Sequence, residues 1–163
     1  MTGEWVLLSY RLPREPSAPR VALWRRLKRQ GVAQVSDGLV ALPADARTRE
    51  QLEWAAEEVV ERGGSSSVWL ARPSTAAHER DLAATMAADR AAEWTELAES
   101  ARAALDASPG EQRSTLARLR RASRQVARRD FFPPPQRDVA RAALRDLEDL
   151  VAAHADAPSG RTR

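Results

Sequence analysis

The sequence predicts an α+β fold, in which a small sheet-containing domain precedes a purely helical region. Four short β-favouring apolar runs alternate with two helical patterns as far as residue 73. Beyond it only helical periodicity remains, and Ser108-Pro109-Gly110 and Phe131–Pro135 interrupt it. We therefore expect a domain at 1–73, a helical extension at 74–155 and a polar tail at 156–163.

The first domain is predicted to have the element order β-α-β-β-α-β. Asp37-Gly38 between two apolar runs is a strong hairpin signal, and Gly31 is typical of the residue that follows a helix. The predicted strands are Trp5–Tyr10, Val32–Ser36, Leu39–Leu42 and Ser67–Ala71, and the helices run from Ser17 to Gly31 and over Ala46–Arg62. This order is typical of the split-βαβ, ferredoxin-like arrangement, an antiparallel sheet with both helices on one face.

The extension is predicted to contain three helices, at about 75–106, 111–129 and 136–154. The connection between the last two, Asp130–Pro135, contains three prolines. It is longer and stiffer than the three- or four-residue turn of a helix-turn-helix. The sequence therefore argues against a DNA-reading helix-turn-helix here.

The composition is typical of a folded cytoplasmic protein. Of the 163 residues, 43% are apolar and 30% are charged, and none is a cysteine. Neither a transmembrane run nor a signal peptide is present, so we expect no membrane association. The lack of cysteine excludes disulfides, thiolate catalysis and soft-metal sites.

Charge is distributed unevenly along the chain. The 26 basic residues comprise 25 arginines and Lys28. Residues 20–29 and 113–129 carry several bases and no acid, whereas residues 50–61 carry five glutamates and no base. The pattern predicts two basic helices and one acidic helix.

The basic helices supply the candidate binding residues. Leu23 and Leu27 fall on one side of the first helix, and Leu116, Leu119, Ser123 and Val126 on one side of the other, so the arginines point outward. The candidates are Arg25, Arg26, Arg29, Arg120, Arg121, Arg124 and Arg128. A row of like charges four residues apart is unfavourable without a partner. DNA phosphates, the acidic helix and a second subunit remain open as that partner, as does a purely solvated face.

No catalytic residue, metal ligand or cofactor site is predicted. His78 and His154 have no second ligand at metal spacing, and Ser65–Ser67 lacks the lysine of a phosphate-binding loop. The aromatic residues are interpreted as structural. Trp5, Trp24 and Trp69 are expected to point inward, and Phe131-Phe132 to wedge the corner between two helices.

Several motifs are similar to those of the ChrB family of chromate-resistance regulators, in its N-terminal domain. They are W-V-L-L-x-Y-x-L-P at Trp5–Pro13, W-R-R-L-K-R-x-G-V at Trp24–Val32, D-G-L-V-x-L-P at Asp37–Pro43, R-L-R-R-A at Arg118–Ala122 and R-D-F-F-P at Arg129–Pro133. The resemblance extends to about Ala155. It implies a regulatory or accessory protein that acts by binding, on double-stranded DNA and as a homodimer.

The resemblance leaves two alternatives. Longer ChrB proteins continue into a large C-terminal domain, so this chain could be an interaction module that docks a partner or that domain encoded separately. The first half also resembles the module of phenylacetate-type repressors and of small CRISPR-adaptation nucleases. Those nucleases carry a metal-binding Asp at the end of the first strand, where this chain has Ser9-Tyr10-Arg11 and no carboxylate.

Chromate reduction is disfavoured, because no thiol, flavin motif or dinucleotide fingerprint is present.

Overall fold

A computed structural model of the chain describes residues 3–157. Within them lie one four-stranded antiparallel sheet and five α-helices, which confirms the α+β class. The chain divides into two compact units, Met1–Met86 and Ala87–Arg163. The predicted domain limits at 73/74 and 155/156 are not tested by this division and stay predictions.

The sheet has the strand order β2-β3-β1-β4. Its strands are β1 (Trp5–Arg11), β2 (Ala33–Ser36), β3 (Leu39–Pro43) and β4 (Ser65–Ala71). β1 pairs antiparallel with both β3 and β4, so the first strand of the chain lies inside the sheet. Val6 and Leu8 lie opposite Leu42 and Val40 and are fully buried, because the period of two places them on one face.

Two helices belong to the first unit, α1 (Ala18–Gln30) and α2 (Ala46–Glu61). α1 ends at Gly31, whose φ of 81° is the left-handed conformation that the sequence predicted for it. α2 begins with a capping box, in which the side chains of Asp45 and Thr48 each accept from the other's backbone N–H. The buried residues Leu23, Leu27, Leu52, Ala55 and Val59 supply the helical part of this core.

The remaining helices are α3 (Ala76–Ala103), α4 (Pro109–Arg128) and α5 (Gln136–Asp156), and a 3₁₀ turn at Ala104–Asp106 follows α3. The unit boundary falls inside α3. The second unit has its own core, which includes Trp94, Leu119 and Leu147, each fully buried. α5 runs into the predicted polar tail, of which residues 158–163 lie outside the described residues.

The R-D-F-F-P motif contributes polar bonds to the second unit. Asp130 accepts a hydrogen bond from the indole N–H of Trp94 at 2.9 Å. Arg129 forms an ion pair with Glu93, which also pairs with the buried Arg90 at 2.8 Å. These bonds connect the end of α4 to α3, so Arg129 and Asp130 have structural partners.

Of the three tryptophans that were predicted to point inward, one is exposed and one is only partly buried. Trp5 is buried and Trp24 is partly buried, but Trp69 is 58% exposed. Trp69 is on the opposite face of β4 from Ser66, which bonds to α2, and β4 is also the last strand of the sheet among the described residues. Val60, which follows the buried Val59 in α2, is also exposed.

Candidate nucleic-acid interface

The arginine row of α4 follows from how that helix is capped and packed. Ser108 and Glu111 form a capping box that starts the helix, and hydrogen bonds from Ser108 lower the pKa of the Glu111 carboxyl. Leu116, Leu119 and Val126 are buried, as the sequence predicted. Residues on the opposite side of the helix must therefore face solvent, and these include Arg120, Arg124 and Arg128.

A groove between α4 and α5 gathers arginines from both helices. Its volume is about 330 Å³. α4 supplies Arg120, Ser123 and Arg124, and α5 supplies Arg141, Leu144, Arg145 and Glu148. We call this set the arginine groove. Its two basic edges arise because each helix repeats an arginine at a spacing of four residues, which places both members on one face.

Four arginines share this groove with a single carboxylate. The Nε of Arg120 donates to Oε1 of Glu148 at 2.8 Å, and both side chains are partly exposed. Arg124, Arg141 and Arg145 form no ion pair within residues 3–157. The groove therefore has an excess of positive charge that an anion from outside the described residues can neutralise.

The basic surface continues beyond one end of the groove. A second concavity of about 490 Å³ is lined by Pro133, Pro134, Pro135, Arg137, Asp138 and Arg141. Arg141 lines both concavities. Together they place positive charge along α5 from its first turn to Arg145.

Comparison with known protein families agrees with the motifs of the sequence. The family model described as "Protein ChrB, N-terminal" matches residues 20–158. The chain belongs to the ChrB N-terminal family. It is accordingly a protein related to chromate resistance. No curated protein matches the chain significantly.

The family match contains all seven arginines that the sequence singled out. It also contains four of the five motifs, and the match begins after the Trp5–Pro13 motif of β1. The arginine groove lies wholly inside the matched range. The groove is thus a feature of the part of this chain that the family model recognises.

The arginines of α1 lie in the first unit and are only partly available. Arg25 and Arg29 are exposed. Arg26 forms an ion pair with Glu58 of α2, and Arg62 shares the same carboxylate at 3.3 Å. The acidic helix, which the sequence offered as a possible partner for the row of Arg120, Arg124 and Arg128, thus pairs with one arginine of α1.

Two of the seven predicted arginines line the groove, and two that line it were not predicted. Arg120 and Arg124 are the predicted members. Arg121 and Arg128 are exposed on α4 but do not line the arginine groove. Arg141 and Arg145 were missed, because α5 also carries Asp138, Asp146, Glu148 and Asp149, so its sequence shows no acid-free basic run. Their spacing of four was the signal that could have identified them.

A polar cavity of about 410 Å³ lies at the end of β1, the position at which the sequence was compared with the metal-binding Asp of small nucleases. It is lined by Ser9, Tyr10, Arg11, Ser36, Asp37, Gly38, Leu39 and Ser65–Ser67. The hairpin thus brings Asp37 to the end of β1, which sequence reasoning did not foresee. Burial and, to a smaller extent, the Asp37 carboxylate raise the pKa of the Tyr10 phenol.

Neither histidine is found in a metal-binding group. Within residues 3–157 no three side chains of His, Asp or Glu are grouped as they would need to be to hold a metal ion. His78 is exposed in the first turn of α3, and His154 is exposed near the end of α5. In the same part of the chain, no helix is long and apolar enough to cross a membrane.

Proposed function

We propose that this ChrB-family chain is a regulatory protein that binds double-stranded DNA through phosphate contacts in the arginine groove. The excess of arginine over carboxylate in that groove carries the proposal. Guanidinium groups bind phosphate oxygens in a bidentate manner and keep their charge at any physiological pH. A regulator of this kind acts by binding, is not an enzyme and works in the cytoplasm.

Duplex DNA fits this groove better than a single strand does. Single-strand binding depends on aromatic side chains that stack on exposed bases, and no aromatic residue lines the groove. Arginine-to-phosphate contacts need no unstacked base and give affinity that falls steeply with salt. The exposed Arg25 and Arg29 of α1 are proposed as additional phosphate contacts.

We infer that the first unit has the ferredoxin-like split-βαβ arrangement. In support, β3 lies between β1 and β2, and both of its pairings are antiparallel. The three helices that follow would form the extension that bears the groove. On this proposal the sheet domain is a scaffold, and the contact with DNA is made mainly by α4 and α5.

A second candidate function is that of a protein-interaction module. The observation that favours it is the ion pair between Arg120 and Glu148, which shows that the groove accepts a carboxylate. An acidic segment of a partner, or of a ChrB-type C-terminal domain encoded separately, could supply further carboxylates. The two candidates use the same arginines and differ in the anion.

A direct binding assay distinguishes the two candidates. Purified protein is titrated into labelled duplex DNA from its own upstream region, and separately into labelled polyglutamate, at low and then rising salt. We expect tighter binding to the duplex and a steep loss of it with salt. Binding to polyglutamate alone would favour the interaction module, and binding to neither would overturn both.

Nuclease activity is the remaining alternative and has a simple test. Single- and double-stranded nucleic acids are incubated with the protein and Mg²⁺ or Mn²⁺, with Asp37→Asn as the paired variant. We expect both substrates to remain intact. Cleavage that Asp37→Asn abolishes would replace the binding proposal by a metal-dependent one centred on the strand-end cavity.

A further inference from the structure

The outer edge of β4 is an unprotected strand edge. β4 is the last strand of the sheet, and no other strand within residues 3–157 pairs with its outer side. Its sequence, Ser-Ser-Ser-Val-Trp-Leu-Ala, contains no charge and no proline over seven residues. Natural sheets usually block such an edge with a short strand, a charge, a proline or a bulge.

The opposite edge of the same sheet shows what a blocked edge looks like. β2 has only four residues, and its register with β3 shifts between Gln34 and Ser36. A register shift of this kind interrupts the regular hydrogen-bonding row of a strand. Of the two edges, β4 is therefore the one suited to adding another strand.

Large apolar side chains are exposed on both faces of β4. Trp69 is 58% exposed and Leu70 is 50% exposed, and adjacent residues of a strand point to opposite faces. Leu70 lies opposite Val6, which is fully buried, and within residues 3–157 no strand pairs with the outer side of β4 to cover Leu70 further. A neighbouring strand would cover both side chains together.

Helix α2 adds Val60 to this exposed apolar edge. The hydroxyl of Ser66 in β4 donates to the carbonyl of Ala56 in α2 at 2.9 Å, so that side of α2 lies against β4. Val60 is four residues further on and is therefore on the same side of the helix. It is 58% exposed. We define the β4 edge as Ser65–Ala71 together with Val60.

We propose that the β4 edge binds a second copy of this chain, with the two β4 strands paired antiparallel across a twofold axis. The two four-stranded sheets would then form one eight-stranded sheet. In a twofold interface residue i contacts residue j and residue j contacts residue i, so the same surface must be complementary to itself. β4 meets that condition because it carries no charge, so two copies of it do not repel each other, although the protein as a whole is basic, with a pI of about 10.4.

The apolar residues of the edge have a necessary part in this dimer. A stable interface buries roughly 1,200–2,000 Å², more than one pair of strand edges supplies by main-chain bonding. Trp69 would pack on one face of the extended sheet, and Leu70 with Val60 on the other. A charged partner would find no opposite charge on this strand, which favours a second copy. The proposal does not rest on DNA binding.

Sedimentation velocity on the full chain across a concentration series tests the dimer. We expect a concentration-dependent species of twice the 18.0 kDa of one chain. In the proposed dimer, Trp69→Lys would place two positive charges near the twofold axis and would remove the two Trp69 side chains from the interface. It should weaken dimerisation by at least ~30-fold, as loss of a central tryptophan contact does.

Trp54→Lys is a matched control. Trp54 is 56% exposed, close to Trp69, and lies four residues from Glu58, which pairs with Arg26 of α1. It therefore points to the α1 side of α2, away from β4. We expect the dimer of the Trp54→Lys variant to have the same dissociation constant as the dimer of the unaltered chain. A chain that stays monomeric at every concentration, or equal weakening by both substitutions, would overturn the proposal.

A cysteine experiment keeps the proposal testable if Trp69→Lys does not fold. The chain has no cysteine, so Ser67→Cys creates a single thiol on the β4 edge. A short bis-maleimide should join two copies of this variant efficiently. Ser114→Cys, at an exposed position in α4, should remain uncrosslinked. Crosslinking at position 114 and none at position 67 would contradict the proposed interface.

Discussion

Arg120 and Glu148 face each other across the arginine groove, with 2.8 Å between Nε and Oε1. This pair connects α4 with α5 and gives one of the four arginines a carboxylate partner. Arg124 is one turn further along α4 and forms no ion pair within residues 3–157. Glu148 therefore competes with any external anion for Arg120.

Removing that competing carboxylate should strengthen DNA binding. Glu148→Gln keeps the size of the side chain and removes one negative charge from the groove. Two unit charges about 4 Å apart interact by roughly 1 kcal/mol in water, so we expect about fivefold tighter duplex binding at low salt. Fluorescence anisotropy of labelled duplex measures the change.

Asp149→Asn is the control for this substitution. It removes the same charge from the next residue of α5, which is exposed but does not line the groove. We expect it to change DNA affinity less than Glu148→Gln does. Equal effects of the two variants would mean that only net charge matters and that the groove is not the binding site.

The pKa of Tyr10 should lie above 10.0 in the folded protein, because burial and the Asp37 carboxylate both disfavour the phenolate. Tyr10 is the only tyrosine, so the ultraviolet absorbance of phenolate reports on it alone. Asp37→Asn should lower this pKa only in part, since burial is the larger cause. A pKa that falls fully to the ordinary value in this variant would contradict that order of causes.

The raised pKa of Tyr10 also predicts how stability depends on pH. The unfolded chain releases the phenolic proton at a lower pH than the folded chain. The free energy of unfolding should therefore fall as the pH rises from about 10 through the folded pKa. Tyr10→Phe should lack this part of the decline when urea unfolding is followed at several alkaline pH values.

Gly38 should be much less tolerant of alanine than Gly63, although both have positive φ values, of 70° and 82°. A Cβ at Gly38 would lie 2.5 Å from the carbonyl oxygen of Tyr10, whereas a Cβ at Gly63 would meet nothing within 4 Å. Gly63→Ala should cost about 1 kcal/mol for the left-handed conformation alone. Gly38→Ala should cost about 3 kcal/mol, because the hairpin must also shift.

Urea unfolding of the two glycine variants provides the measurement. The midpoint of Gly38→Ala should be clearly lower than that of Gly63→Ala. The control for the hairpin itself is Asp37→Asn, which keeps a residue suited to the turn and should unfold close to the original midpoint. Equal losses for both alanine variants would show that the contact between Gly38 and Tyr10 is not tight.

Much of the local structure could be predicted because short-range rules determine it. Asp37-Gly38 forms the hairpin, Gly31 ends α1 in the left-handed conformation, and Leu119 is buried on α4 as the helical period requires. Each of these depends on residues close together in the chain. Turn chemistry and periodicity are therefore sufficient to predict them.

What could not be predicted depends on which elements become neighbours. Alternation assigns Trp69 to one face of β4, but its exposure depends on which face α2 covers and on the position of β4 at the edge of the sheet. The basic run of α4 was visible in the sequence, whereas Arg141 and Arg145 join it only because α5 packs beside α4. The spacing of four between Arg141 and Arg145 shows only that they share a face of α5, and no single segment shows which helix that face meets.

The most direct test of DNA binding through the groove is the salt dependence of duplex affinity. Arg124→Gln with Arg145→Gln is compared with Arg80→Gln with Arg102→Gln, two exposed positions of α3 outside the groove. Each phosphate contact contributes about 0.9 to the slope of log affinity against log salt. We predict that the groove variant loses about 1.8 of slope and that the α3 variant keeps the original slope. Equal slopes for the two variants, or no duplex binding by the unaltered chain at low salt, would contradict the central claim.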